Sequence, residues 1–473
     1  MKRKPSGVKD TLHITSAALG SVGAVADRLG AEVYVVGGYV RDLLLGREVE
    51  DIDITVLGDG VAFAREAAEA LGARPVVVFE KFGTAMVPYG GGKIEFVSAR
   101  QESYSKDSRK PDVKRGTLTA DLSRRDFTVN AIAASLNAGR FGEIVDPFDG
   151  RADLAAGLLR TPLEPRKTFD DDPLRMMRAL RFAAQLQFRI QPEALTAIGA
   201  MAGRLAIVSR ERITDEFMKI LASPKPSIGL SLLQQTGLAK HVFPELTDLV
   251  GVEQRKDYHH KDVFLHTLKV VDNICESTGD VWLRFAALVH DIAKPRTKAF
   301  KEDIGWTFHG HEDLGARMMK SIFRRLRLPM DRLPYVEKLV RLHLRPMVLV
   351  KEEITDSAIR RLLFDAGEDI DDLMKLCRAD ITSQNPSRVV RYLKNYDIVM
   401  EKMREVEEMD RLRNWQPPVR GEEIMQICGI EPGPIVGVLK KRIEDAILEG
   451  TIPNEHDPAL EYLLKIKDEI LGG

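Results

Sequence analysis

Cysteine is nearly missing from this chain of 473 residues, which carries only Cys275, Cys377 and Cys428. The three are far apart and show no metal or redox spacing. That excludes a thiolate metal site and a disulfide framework, and fits free thiols in a reducing cytosol. No apolar run is long enough to span a bilayer, so no membrane partner is expected. The opening Met-Lys-Arg-Lys lacks the apolar core of a signal peptide, and the expected location is cytoplasmic. Repeats and low-complexity segments are missing too. So is net charge: 70 Lys and Arg stand against 71 Asp and Glu. On bulk charge alone this argues against a nucleic-acid partner.

What is present points elsewhere. The length predicts two to four domains, and a hydrophobic content of 44% is ordinary for a globular protein. The charges are segregated. Tyr104 to Arg125 holds seven Lys/Arg against three Asp, and Arg317 to Arg345 holds nine against two acids. Basic stripes on a neutral protein track a phosphate backbone, although each alone also reads as a solvated helix face.

The most informative stretch runs from Val35 to Arg47 and continues into Asp51-Ile52-Asp53-Ile54. It reads as a buried strand, a Gly37-Gly38 turn, a short helix and a second strand. The glycines admit a close approach of a bound group. The backbone N–H groups opening the helix suit a phosphate, and Arg41, one turn in, suits a bidentate contact to the same phosphates. Residues i and i+2 of a strand share a face, so Asp51 and Asp53 project together. Two adjacent carboxylates call for a cation, and hard oxygen ligands beside phosphates favour Mg²⁺. Glu95, on a later strand, is a possible third carboxylate or an ordinary exposed residue.

Gly37-Gly38-x-x-Arg41-Asp42 followed by Asp51-x-Asp53 resembles the signature of class II tRNA nucleotidyltransferases and bacterial poly(A) polymerases, within the polymerase-β-like superfamily. Arg124-Arg125-Asp126-Phe127-Thr128-Val129-Asn130-Ala131 matches that family's RRDFTxNA motif. The resemblance implies that Arg125 contacts nucleotide phosphate or sugar, with Asp126 and Asn130 holding the loop or capping a helix. It also implies a flexible loop over Ala99 to Pro111, with Lys106, Arg109 and Lys110 near the growing 3′ end. Asp171-Asp172-Pro173-Leu174-Arg175 resembles the E/D-D-P-x-R motif, and Arg178 and Arg181 continue its helix face. Ser209 to Leu221 resembles the neck motif that braces this helix and reads as structural.

The pair Asp172 and Arg175 has its own chemistry. Cytosine presents N4–H₂ as donor beside N3 as acceptor, and adenine N6–H₂ beside N1; uracil and guanine present the reverse order. A carboxylate next to a guanidinium accepts C and A and rejects U and G, because a mismatch leaves buried polar groups unpaired. The alternative is a helix-surface ion pair worth about 0.3–0.5 kcal/mol.

Downstream, His266, His290-Asp291 and Asp380 form the H…HD…D pattern of HD-domain phosphohydrolases, with His311 and His343 as further ligands or phosphate binders. Imidazoles and carboxylates on helices make a mixed site for Mn²⁺, Ni²⁺, Co²⁺, Fe²⁺ or Mg²⁺, which activates water against a phosphate ester. Gly421 to Arg442, with Pro432-Gly433 before a basic helix, resembles the family's tail and suits gripping RNA.

The fold class expected is α+β: a small mixed α/β head (1–155), then a helical neck (156–245), an HD domain (246–385) and a helical tail (386–473). The resemblance implies two-metal transfer of CMP and AMP from CTP and ATP to the tRNA 3′ end, by Asp51 and Asp53. The motifs are shared with poly(A) polymerases and with enzymes adding only A or only CC. A phosphohydrolase whose head merely holds tRNA also stays open at this point.

Overall fold

The computed structural model describes residues 11–49, 51–80, 83–103, 112–253, 262–303, 305–349, 355–383, 385–410 and 417–471. Two compact units divide it, Met1–Val242 and Phe243–Gly473.

The first unit begins with a sheet. Its strands are β1 (Glu32–Val36), β2 (Ile52–Leu57), β3 (Val77–Phe79), β4 (Thr84–Tyr89), β5 (Gly92–Ser98), β6 (Arg100–Ser103), β7 (Asp112–Arg115), β8 (Ala133–Ser135) and β9 (Ile144–Val145). Seven of them align in the order β3-β4-β5-β2-β1-β8-β9, and β6 and β7 pair only with each other. β2 and β5 run parallel, whereas β1 is antiparallel to both β2 and β8. The β-branched runs of β1 and β2 suit a pleated surface buried on one face. Val33, Val35, Ile54, Val56, Ile94 and Phe96 turn to that face and pack on the helices Ala17–Leu29 and Gly60–Ala70. A full burial of one such side chain is worth about 1.5–3 kcal/mol.

The register lines up Val36, Asp53, Glu95, Met86 and Val77 across five strands. Paired residues share a face, so Asp53 and Glu95 are neighbours on the side away from that core. Tyr34, Val36, Leu118, Leu122 and Ala133 form a smaller core nearby. Asp51 stands one residue ahead of β2 rather than within it.

A basic loop was expected over 99–111. Arg100–Ser103 is a strand instead, paired antiparallel with Asp112–Arg115 from Arg100↔Arg115 to Ser103↔Asp112 and closed by the Gly116 N–H to Ala99 carbonyl bond, while 104–111 lie outside the described residues. Lys106, Arg109 and Lys110 lie outside the described residues.

From residue 158 on the unit is helical but for β10 (Leu158–Leu159) paired with β11 (Arg189–Ile190). The helix Pro165–Asp171 starts on a proline, which costs it no hydrogen bond. Asp172, extended, breaks it, and the helix Leu174–Leu186 follows. That helix buries Met176, Met177, Ala179, Leu180 and Ala183, while the helix Arg210–Ala222 packs beside it.

In the second unit the helices Val263–Cys275, Val281–Val289, His311–Leu326, Leu333–Leu342 and Ile370–Ala379 surround an apolar interior. The hairpin of β12 (Ala299–Lys301) and β13 (Gly305–Thr307) joins two of them. The tail has its own small core of Val419, Ile424, Leu439, Ile443 and Leu463. No helix among the described residues is long and apolar enough to cross a membrane.

Candidate active site

An open cleft of about 1190 Å³ lies within the first unit, between the acid-bearing strand and the helix Leu174–Leu186. Gly38, Arg41, Asp51, Asp53, Arg125, Asp172, Arg175, Arg178, Arg181 and Glu216 all line it. Asp51 is exposed and Asp53 half-buried. Burial raises the Asp53 carboxyl above its usual range; Arg125 opposes this and the neighbouring charge of Asp51 adds to it. Two carboxylates so arranged, one already paying for its charge, are a donor set that fits a divalent cation.

Gly37 begins the helix Gly38–Leu44 at φ 73°, a conformation open to glycine. A Cβ there would lie 2.6 Å from Nη1 of Arg125 and 3.6 Å from Oδ2 of Asp53. The guanidinium of Arg125 thus lies in the space a side chain would fill. Its Nη1 donates to the Asn130 carbonyl at 3.4 Å, and its buried Nε has no partner.

The other arginines are engaged with the protein. Arg41, 5% exposed, donates from Nε to Asp42 at 2.8 Å and from Nη1 to Asn130 Oδ1 at 2.7 Å. Asn130 passes the link on, donating from Nδ2 to Asp126 Oδ1 at 3.0 Å. Asp126 in turn accepts from Arg178 Nε at 2.7 Å. Burial opposes the charge of Asp126, yet Arg178 and Asn130 hold its carboxyl down at about 2. Glu216 accepts from Arg181 at 3.1 Å, and Arg178 lies 3.9 Å away. Phe182 sits among these cations, with Arg41, Arg178 and Arg181 at 5.2, 5.3 and 4.3 Å from its ring centre. A continuous chain of charge-assisted bonds therefore joins the Gly-Gly turn to the helix opposite.

Asp172 and Arg175 are both on the cleft wall, but their bonds run elsewhere. Asp172 accepts from the Leu174 N–H at 3.1 Å and from Arg212 at 3.4 Å. Arg175 donates to the carbonyls of Thr168 at 3.2 Å and Arg124 at 2.5 Å. The helix begins only at Leu174, so helical i,i+3 spacing does not set this pair.

The second unit gathers His266, His290, Asp291, His311, His343 and Asp380 at one point. Four of them sit at helix ends: His290, His343 and Asp380 close their helices and His311 opens one. His266 Nε2 is 2.9 Å from Asp380 Oδ1, His290 Nε2 is 3.1 Å from Asp291 Oδ2, and His311 Nε2 is 3.2 Å from Asp291 Oδ1. Every Nδ1 faces an oxygen at 2.7–2.8 Å: Thr382 Oγ1, or the carbonyls of Ala287, Phe308 and Val340. A carbonyl can only accept, which puts the proton of those imidazoles on Nδ1 and leaves Nε2 as a lone-pair donor. All four Nε2 atoms are buried and, although the carboxylates are close, make no well-aligned hydrogen bond. Two ligand trios result, His266, His290 and Asp380 beside Asp291, His311 and His343. Without a metal, burial works against a charge on His290 but Asp291 and Asp380 outweigh it and lift its pKa to about 10, so a cation bound there takes the place of the Nε2 proton; burial drives His343 down to about 3. Orphaned imidazole nitrogens facing two carboxylates fit a pair of divalent ions.

With that geometry in view, comparison with known proteins is decisive. A family model of the poly(A) polymerase head domain matches residues 33–160, one of the probable RNA- and SrmB-binding site of polymerase A matches 187–249, and the HD domain matches 263–381. The A-adding tRNA nucleotidyltransferase of Deinococcus radiodurans is 33% identical over 428 residues, covering 88% of this chain and 92% of that protein. The chain belongs to the tRNA nucleotidyltransferase family. A multifunctional CCA protein of Nitrosococcus oceani is 34% identical, over 74% of this chain and 84% of its own. Among solved structures, the Bacillus stearothermophilus CCA-adding enzyme in complex with CTP aligns at TM-score 0.67 and 25% identity, covering 96% and 98% of the two chains. The Thermotoga maritima CCA-adding enzyme complexed with tRNA aligns at 0.59 and 25%, covering 94% of each.

For a tRNA nucleotidyltransferase, the cleft holds several residues that the sequence did not single out, three of them in contact with the charged network. Glu216, Arg212 and Phe182 all line it. The signal was there in Arg212-x-x-x-Glu216, whose i,i+4 spacing puts both on one helix face toward the arginines.

Proposed function

We propose that this chain restores the CCA end of tRNA, transferring CMP and AMP from CTP and ATP to the 3′-hydroxyl without a nucleic-acid template. One observation carries the reading: a single cleft has paired carboxylates on one wall and an Asp–Arg helix start on the other. Asp51 and Asp53 would hold Mg²⁺. When bound, the cations lower the pKa of the attacking hydroxyl and offset the charge of the departing pyrophosphate.

The protein's own part is positioning and charge. Gly37 and Gly38 leave room for the triphosphate. Arg125, with its Nε unpartnered, offers it a donor. Arg41 is already bound to Asp42 and Asn130, and supports the phosphate site by fixing the turn and adding positive potential. Asp172 presents its acceptor to the exocyclic amine of C or A, and Arg175, close by, supplies the donor edge. Arg178 and Arg181 hold the reading helix against Asp126 and Glu216. The basic helix Pro434–Leu448 of the tail takes the RNA body.

The His/Asp centre gives the chain a second, metal-dependent phosphohydrolase activity in the cytoplasm. The ion is Mn²⁺, Ni²⁺, Co²⁺, Fe²⁺ or Mg²⁺, and the protein fixes the imidazoles in one tautomer through their Nδ1 bonds.

A second reading has its own support. The Deinococcus relative bears the name of an A-adding enzyme, so addition of A alone to tRNA ending in CC is the competing assignment. Incubation with tRNA lacking one, two or three terminal nucleotides, with CTP and ATP singly and together, separates the two. CCA addition requires C incorporation on the shorter substrates.

A further inference from the structure

The hairpin β12–β13 stands on the His/Asp centre by both legs. Ahead of it, Lys294 Nζ donates to Asp291 Oδ2 at 2.6 Å. Behind it, the Phe308 carbonyl faces Nδ1 of His311 at 2.7 Å, and Lys294 lies 5.7 Å from the centre of the Phe308 ring. The root is tied by the backbone pairing Ala299↔Thr307 and by the Thr307 hydroxyl donating to the Ala299 carbonyl at 3.1 Å. One register step out, Phe300 and Trp306 are cross-strand partners. Their ring centres are 5.0 Å apart at 72°, and Lys298 Nζ sits 4.1 Å from the Trp306 ring centre.

The cross-strand pair is worth about 0.5–1.5 kcal/mol to the hairpin, yet it leaves Phe300 48% exposed. Between Asp291 and Phe300 the chain carries Lys294, Arg296 and Lys298 and no acid. An aromatic face flanked by cations, beside a centre built for phosphate esters, matches a nucleotide: base on the ring, phosphate toward the lysines and the metal ligands. At about 3.3 Å per strand residue, the aromatic pair lies within one nucleotide's length of the hairpin root.

We propose that Phe300 and Trp306, with Lys298, form a base-stacking platform that makes the His/Asp centre selective for nucleoside phosphates over phosphate esters lacking a base. The proposal rests on the phosphohydrolase reading of that centre, but its first test does not need the activity. The three tryptophans are Trp282, Trp306 and Trp415. Replacing Trp282 and Trp415 with Phe in the full chain leaves Trp306 as the only indole, and the sequence of the first unit holds no tryptophan.

With EDTA present, AMP should quench Trp306 emission saturably and ribose 5-phosphate should not. A short RNA ending in a 3′-phosphate gives a second arm; tighter quenching by it than by AMP names an RNA end as the source, and the reverse names a free nucleotide. Phe300→Ala should weaken AMP binding about tenfold or more, since stacking is worth ~1–3 kcal/mol per base. Absence of quenching by AMP, or equal quenching by ribose 5-phosphate, overturns the platform. With Mn²⁺ added, hydrolysis of AMP should exceed that of ribose 5-phosphate and fall in Phe300→Ala. If neither ester is hydrolysed while AMP still quenches Trp306, the phosphohydrolase reading fails and the platform stands.

Discussion

Gly37 and Arg125 are complementary in shape: the guanidinium fills the volume a Cβ on Gly37 would need, at 2.6 Å from Nη1. The glycine is therefore required twice, by φ 73° and by the arginine. Gly37→Ala should displace Arg125 from its place beside Asp53. A shift of about 1 Å in such a group costs about 100-fold. We expect kcat/KM for nucleotide addition to fall by that factor, measured with CTP on trimmed tRNA, while the Mn²⁺-induced rise of the melting temperature stays at the wild-type level.

Asp126 joins two motifs through Asn130 and Arg178, and its pKa of about 2 lies below the ordinary 3.8. A depressed carboxyl stabilises the fold above its unfolded pKa and loses that contribution as pH falls through 3.8 toward 2. The effect is worth about 2 kcal/mol at neutral pH. Asp126→Asn should lower stability by that order in urea unfolding at pH 6. The gap to wild type should shrink steadily between pH 4 and pH 2.5. A pH-independent gap would mean that the carboxyl's charge is irrelevant.

Asp172 and Arg175 separate by their partners. Arg175 bonds two backbone carbonyls and is 9% exposed, so Arg175→Ala should cost stability, about 1–3 kcal/mol, as well as selectivity. Asp172→Ala should cost about 0.5–2 kcal/mol through the lost bond to the Leu174 N–H at the helix start. Its discrimination of CTP against UTP should drop by about 100-fold or more, because the mismatch penalty vanishes with the acceptor. The ratio of kcat/KM values for the two nucleotides measures it.

The His/Asp centre should respond to metal alone. Mn²⁺ at about 100 times its Kd adds about 2.7 kcal/mol to the stability of the state that binds it. A thermal melt with Mn²⁺ should move upward in wild type and lose much of that shift in Asp291→Ala. Nucleotide addition by Asp291→Ala should be unaffected at saturating Mg²⁺.

The head was legible in the sequence because its code is local. Strand, Gly-Gly turn, short helix and Asp51-x-Asp53 lie in one run of residues, and β-branched patterning marks β1 and β2. The His/Asp cluster was legible for a different reason, since imidazoles and carboxylates gathered on helix ends have few other uses. What stayed hidden depends on distant pairing. The β6–β7 ladder pairs segments eight residues apart in a polar stretch with no apolar alternation to mark it. The chain from Arg41 through Asn130, Asp126 and Arg178, with Glu216 beside it, joins residues up to 175 positions apart (41 to 216). Extended Asp172 falls before the helix and meets Arg212, a contact between residues 40 positions apart that helical spacing does not show.

Incubating wild type and Asp53→Ala with tRNA shortened by three, two and one nucleotides, with CTP, ATP or both, is the most direct test of the account. It predicts two residues added with CTP alone, one A added to the CC-ending substrate with ATP alone, a stop at CCA with both, and loss of all addition in Asp53→Ala. Long A tracts, growth confined to the CC-ending substrate, or addition that survives Asp53→Ala would contradict it.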